Sequence, residues 1–345
     1  MTATRPRTTV TTPAVLAGLV VLVLVTVGLA LVTRGDPADA PGGSAPGVAS
    51  APASGDGAAA DAAGARVAGP GRGPVPLPEG WAGVRDPLAR AVDAAAARGF
   101  TLTMCVRALD SPGEERVCAG DDAPLFAASL PKVAIAVAAL EAVGGDPSAP
   151  SGYGPPVGDL VDAAITVSDN EAAGMLVHVA GSRRPDAEPF DVVNAVTTRV
   201  GLDAVFHAGN YFTEDEASPG EGEVTASGCV DYLAELVRSA DGRTRPDGRS
   251  LTSPAVARTV LGAMHRQERT GKLPLLLPPG STANKTGETE EVSHDMAVVH
   301  TRGGRFAVSA TGTASDLDGN ADTEVAEASA AVAALLGGAV PFPGG

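Results

Sequence analysis

Ser129 and Lys132 stand three residues apart at the head of the uncharged run Val133-Ala134-Ile135-Ala136-Val137-Ala138-Ala139-Leu140. A run so rich in Ala, Val and Leu reads as a buried helix. Pro131 is tolerated only in a first helical turn, where its missing N–H would be unpaired anyway. The helix is therefore expected from about Ser129 to the stop at Gly144-Gly145-Asp146-Pro147. Lys132 then lies one turn from Ser129 on the same face. Backbone N–H groups and the positive end of the helix dipole sit beside a serine oxygen at a helix start and favour a developing anion. An ammonium drawn into the interior tends to shed its proton, and a neutral amine beside a hydroxyl can make it a nucleophile.

A Ser-x-x-Lys pair alone arises by chance in a chain with many serines, but two further triplets follow it. Ser168-Asp169-Asn170 comes after Ile165-Thr166-Val167, and Lys285-Thr286-Gly287 comes after Ser281-Thr282-Ala283-Asn284. With these three motifs in this order, the chain resembles the penicillin-recognising serine hydrolases over residues 86–336, and the class A β-lactamase branch in particular. The resemblance implies an α+β fold of β-lactamase/DD-peptidase type. An antiparallel sheet is flanked by the N- and C-terminal helices, an all-helical lobe is inserted, and the site lies in the cleft between them.

The resemblance also implies roles. Ser129 is the nucleophile that forms an acyl-enzyme, and Lys132 is the base or proton relay of acylation. Ser168 passes a proton to the leaving nitrogen. Asn170 orients the substrate's amide side chain and holds Lys132. Lys285 and Thr286 bind a substrate carboxylate, and Gly287 lets the backbone approach closely. The backbone N–H groups of Ser129 and Glu288 form an oxyanion hole, worth on the order of 3 kcal/mol per donor. Arg305, entering a strand after Gly303-Gly304, is similar in place to the arginine that many members direct at that carboxylate; the alternative is an ordinary turn arginine.

This chemistry needs no cofactor and no metal. His178, His207, His265, His294 and His300 show no metal-ligand spacing, and no Gly-rich phosphate loop or dinucleotide fingerprint is present. His294-Asp295 either lines the cleft or serves the structure.

Two departures from the family pattern matter. Class A enzymes deacylate with a glutamate in a Glu-x-x-Leu-Asn loop, and nothing between residues 201 and 225 reads that way. Glu214 and Glu216 are the acids available as replacements, and a solvated surface loop is the plainer reading of both. Glu171, directly after Asn170, reads as a helix-start charge. The interval between Lys132 and Ser168 is also short, which trims the helical lobe. Three functions stay open: a β-lactam hydrolase, a D,D-carboxypeptidase or endopeptidase of peptidoglycan, and a penicillin-binding sensor that does not turn over. The partner is accordingly a β-lactam or a peptidoglycan stem peptide, and the protein is expected to be a monomer.

The elements that must position these residues follow in order. Helices are expected over 86–98, 171–179, 190–200, 226–238, 254–268 and 324–336, with 158–166 leading into the Ser168 triplet. Strands are expected over 101–108, 116–120, 282–286, 295–301 and 306–311. Such an order makes an antiparallel sheet from both chain ends, with the terminal helices together on one face. Folding the first hairpin about Ser111-Pro112 sets Cys105 opposite Cys118. They form a disulfide in an oxidising compartment, or remain two reduced apolar residues. Cys229 is the odd one of three cysteines and is expected to be buried and inert.

Residues 14–33 are uncharged, Leu- and Val-rich and about long enough for a bilayer. A cleaved signal peptide is the alternative to a transmembrane anchor. The anchor is favoured because the apolar core is long for a signal peptide, and Ala38-Asp39-Ala40 is followed by Pro41. Arg5 and Arg7 then keep residues 1–13 cytoplasmic. Residues 34–80 make an Ala/Gly/Pro tether, and residues 81–345 a membrane-held extracytoplasmic hydrolase domain. A formal net charge of −16 argues against nucleic acid as a partner.

Overall fold

The structure is a computed structural model and describes residues 75–111, 113–209, 222–315 and 319–343. Residues 1–74, with the expected tail, anchor and most of the tether, lie outside these, as do 210–221 with Glu214 and Glu216. No helix among the described residues is long and apolar enough to cross a membrane.

Strand β1 (Leu102–Ala108) sends Met104 and Val106 into one cluster of buried side chains and Cys105 into another. That is the period-two pattern of a strand covered on both faces. It pairs antiparallel with β2 (Arg116–Ala119), in the register that places Cys105 against Cys118. The two are joined by a disulfide. Two further antiparallel strands share the sheet with β1: β7 (Gly304–Thr313) and β6 (Val292–Thr301). With β5 (Thr282–Glu288) the order is β2-β1-β7-β6-β5 among the described residues, so β5 is an edge.

The terminal helices α1 (Arg85–Ala97) and α8 (Asp322–Leu335) pack on each other. Leu88, Val325 and Val332 join Met104 and Val106 there, and Trp81 stacks on Phe306 at 5.8 Å. On the other face lies α6 (Ala226–Ala240), in contact with β1 and β7. Cys229 of this helix is a free, buried thiol, and burial pushes its pKa far up. The sheet is thus built from both chain ends around an inserted helical part, an α+β fold.

At the centre of that helical part is α2 (Lys132–Ala142), in which Lys132 and every residue from Val133 to Leu140 are buried. A helix apolar all round belongs in a core. Around it pack α4 (Asn170–Gly181), α5 (Pro189–Thr198) and α7 (Pro254–His265). A short helix α3 (Val157–Asp162) precedes α4. A small pairing that sequence reading missed sets β3 (Leu125–Phe126) against β4 (Glu223–Val224). Two-residue strands carry too little pattern to read.

Candidate active site

Ser129 lies between β3 and α2 in a tight turn, three residues before the helix that sequence reading began there. The first turn closes on i→i+3 bonds: Leu130 N–H donates to Ala127 at 3.1 Å and Lys132 N–H to Ser129 at 3.4 Å. Ala128 has φ +46°, outside any α-helix. A non-glycine residue held there costs on the order of 1 kcal/mol or more, a kind of strain that gathers at functional sites. Ser129 itself is 8% exposed.

The end of β5 presses on this turn. A Cβ on Gly287 would stand 3.2 Å from the Ala127 carbonyl oxygen and 3.3 Å from the Ser129 nitrogen. A side chain here would have to push this backbone aside by a few tenths of an ångström, so glycine suits the close approach of Gly287 to Ser129.

Ser168 enters from a second break. Residues 163–167 form a π-helical turn after α3, and Ser168 ends it in the left-handed region at φ +63°. Asp169 then caps α4 by accepting the Ala172 N–H at 2.7 Å. The reversal aims the Ser168 side chain at two lysines. Lys285 Nζ donates to Ser168 Oγ at 2.9 Å and to the Thr286 carbonyl at 2.7 Å. Lys132 Nζ lies 3.3 Å from the same Oγ, and donates to the Ser168 carbonyl and to Asn170 Oδ1, each at 2.6 Å. The three motifs are therefore one hydrogen-bonded cluster.

Burial holds the Lys132 pKa down at about 7; Asp169 opposes the shift and Arg269 adds to it. Lys285 is pushed well below its ordinary value, first by burial and then by the Lys132 charge. Near neutral pH, Lys132 therefore exchanges between ammonium and amine, and the amine form can take up a proton.

Arg305 is not in this cluster. It lies opposite His300 at the far end of the β6–β7 pairing, whereas Lys285 lies opposite Met296. Its guanidinium bonds Asp110 Oδ1 at 2.5 Å and Asp241 Oδ2 at 2.7 Å, with side chains 16%, 18% and 9% exposed. The turn-arginine reading is the correct one. Register decides this, since each step along an antiparallel strand moves a residue by about 3.4 Å.

The cation beside Lys285 is Arg269, from the loop after α7. Its Nη1 lies 3.3 Å from Glu288 Oε2 and its Nε donates to the Val167 carbonyl at 3.2 Å. Lys272, almost fully buried, meets Glu288 Oε1 at 2.6 Å and the His294 carbonyl at 3.1 Å. Neither cation belongs to a recognisable motif, so spacing offered no signal for them.

Beneath β5, Asp295 accepts from Asn284 Nδ2 and the Leu273 N–H, both at 3.1 Å. Burial pushes this carboxyl up to about 7, against the pull of Lys272, Asn284 and Leu273. His294 is buried with both ring nitrogens engaged. The Gly312 N–H donates to Nδ1 at 3.2 Å, which leaves Nε2 to donate to the Phe126 carbonyl at 2.9 Å. Its role here is structural. No group of three or more His, Cys, Asp or Glu among the described residues could hold a metal ion.

A family model described as the beta-lactamase enzyme family matches residues 144–338. The match takes in Ser168, Lys285 and Arg269 and begins after Ser129 and Lys132. A search of curated proteins finds no match. Among solved structures the fold is similar to a beta-lactamase from Sphaerobacter thermophilus, 23% identical, with a TM-score of 0.58 over 75% of this chain and 99% of that one. It is similar to the TLA-1 extended-spectrum beta-lactamase, 14% identical, with a TM-score of 0.56 over 73% and 99%. A last common ancestor of Gram-negative bacterial class A beta-lactamases is 21% identical, with a TM-score of 0.55 over 72% and 98%. With more than half of its length matched by the family model and this fold around a serine–lysine cluster, the chain belongs to the beta-lactamase enzyme family, as a serine hydrolase.

Proposed function

We propose that the protein forms an acyl-enzyme through Ser129 with β-lactams or D-Ala-peptide-like amides, outside the cytoplasmic membrane. The observation that carries this reading is the Lys132–Ser168–Lys285 hydrogen-bond chain beside the Ser129 turn. Ser129 Oγ attacks the amide carbonyl carbon and gives its proton to neutral Lys132. The new oxyanion sits between the Ser129 and Glu288 N–H groups. Once Lys132 has taken the Ser129 proton, Ser168 Oγ faces two lysine donors, so its own O–H is left to point outward. It delivers a proton to the leaving nitrogen as the C–N bond breaks, and Lys132 returns that proton to Ser168. Asn170 holds Lys132 and orients the substrate's amide side chain. Thr286, Lys285 and Arg269 receive the substrate carboxylate, the last in the place where sequence reading put Arg305.

Hydrolysis of the ester is the slow step in this reading, because the sequence lacks a Glu-x-x-Leu-Asn loop. A positioned general base contributes about 10²–10⁴-fold. The same absence favours the peptidase and sensor readings over rapid antibiotic turnover. Residues 14–33 would hold the domain at the membrane. The Cys105–Cys118 disulfide supports an oxidising, extracytoplasmic location.

The test is labelling with a fluorescent penicillin. The wild-type protein is expected to gain one adduct on the peptide containing Ser129 and to keep it for minutes or longer. Ser129→Ala is expected to lose labelling by about 10⁴-fold or more. An adduct that persists in Ser129→Ala overturns the assignment, and rapid hydrolysis of many equivalents of nitrocefin overturns slow deacylation.

A further inference from the structure

The Glu288 side chain stands where a negative charge should be unwelcome. The residue before it, Gly287, lies against Ser129, and the Glu288 carboxylate faces Lys272 and Arg269, the latter a cation that also acts on Lys285. The two contacts are unequal. Lys272 is 3% exposed and holds Oε1 at 2.6 Å. Arg269 is 50% exposed and reaches Oε2 only at 3.3 Å, while anchored to the Val167 carbonyl through Nε.

We propose that Glu288 is a built-in occupant of the substrate-carboxylate subsite, released from Arg269 when an acidic substrate binds, and that it thereby sets how strongly the enzyme prefers acidic over neutral substrates. The inference rests on the acyl-transfer reading and deepens it. The resting carboxylate satisfies the same guanidinium that an incoming carboxylate needs, so each acidic substrate must compete for it. The Lys272 contact is short and buried, so it keeps Glu288 tethered when Arg269 lets go. A half-exposed ion pair is readily opened. The remaining charge still repels a second carboxylate beside it, and that repulsion falls on acidic substrates alone. Burial would lift the Glu288 pKa, but Lys272, Arg269 and Lys285 hold it below the ordinary carboxylate value, so the occupant is charged at neutral pH.

Glu288→Gln separates the charge from the shape, since the amide oxygen still accepts from Lys272. The quantity to measure is the second-order acylation rate with benzylpenicillin divided by that with its methyl ester, in which general damage to the site cancels. Removing the charge is expected to raise this acid-to-ester ratio by about threefold to tenfold. In an Arg269→Ala background the ratio is expected to fall, and Glu288→Gln to raise it by clearly less than in the wild-type background, because only the direct repulsion is left to remove. Should Glu288→Gln fold poorly, Glu288→Thr gives the same readout. An unchanged or lower ratio in the folded charge-neutral variant overturns the proposal, as does an equal rise in the Arg269→Ala background. If neither compound acylates the wild-type protein, the acyl-transfer reading fails and this inference with it. If both do and the ratio does not move, this inference alone fails.

Discussion

At one end of β6 and β7, Arg305 meets two carboxylates. At the other, Lys285, Lys272 and Arg269 gather around Glu288, with a buried Asp295 below and Lys132 beyond Lys285. The two sites use the same kinds of group and differ in balance. Asp110 and Asp241 each offer both oxygens to Arg305, so the guanidinium has no attraction left for a ligand. In the cleft the carboxylates are too few. Asp295 is pushed up to about 7, and Glu288 is the half-exposed anion for two neighbouring cations. Buried cations with too few anions cost stability, and they relieve that cost by losing protons or by binding an anion. The Arg305 end fastens the sheet to the α6 loop and the β1–β2 turn, whereas the Lys285 end keeps an excess of cations.

Lys132→Met should break the comparison most sharply. Acylation is expected to fall about 10²–10⁴-fold, the usual contribution of a positioned base. Stability in urea should fall by no more than about 1–3 kcal/mol, because no longer burying a lysine head group offsets part of the cost of leaving the Ser168 carbonyl and Asn170 Oδ1 without a donor. A large loss of stability with acylation retained would reverse the assignment of the two ends.

Arg305→Ala tests the opposite end. It leaves Asp110 and Asp241 without their shared partner, and the unfolding free energy should drop by about 3–4 kcal/mol, the lower part of the range for breaking a buried pair. The acylation rate per folded molecule should be unchanged. A variant of wild-type stability with weakened acylation would return Arg305 to the substrate site.

A smaller effect separates the ends by pH. Acylation should rise about tenfold between about pH 6 and 8 as Lys132 loses its proton near 7. Asp295 titrates in the same range, so the rise should persist in Asp295→Asn; its loss there would move the limb to the aspartate. The stability signs are opposite at the two ends. The Lys132 pKa is depressed from 10.5, so between about 7 and 10.5 the unfolded chain binds a proton that the folded one does not, and this contribution grows with pH. For Asp110, burial raises the pKa and the Arg305 bonds more than offset it, leaving it below 3.8. Its contribution is present above that value and disappears as pH falls through the lower folded one. Acid unfolding with and without Arg305→Ala measures the second.

Much of the fold was legible in the chain. The all-apolar stretch behind Lys132 could only be a core helix. The hairpin about Ser111-Pro112 placed Cys118 opposite Cys105. Ser129, Lys132, Ser168 and Lys285 were found from spacing because each motif is local. Arg305 was misplaced because glycine turns before strands look alike whichever end of the sheet they occupy. Arg269, Lys272 and Asp295 were missed because a lone charged residue in a loop or strand has no pattern.

By itself the sequence nominated the side chains of the proposed chemistry and determined their local scaffold, since helix starts, tight turns and period-two strands are set by residues within a few positions of one another. Only the tertiary structure decided which charges share a cleft and which cancel. That depends on strand register and on loops returning from more than a hundred residues away, and on burial, which moved Lys132 and Asp295 toward neutrality and left Arg305 paired.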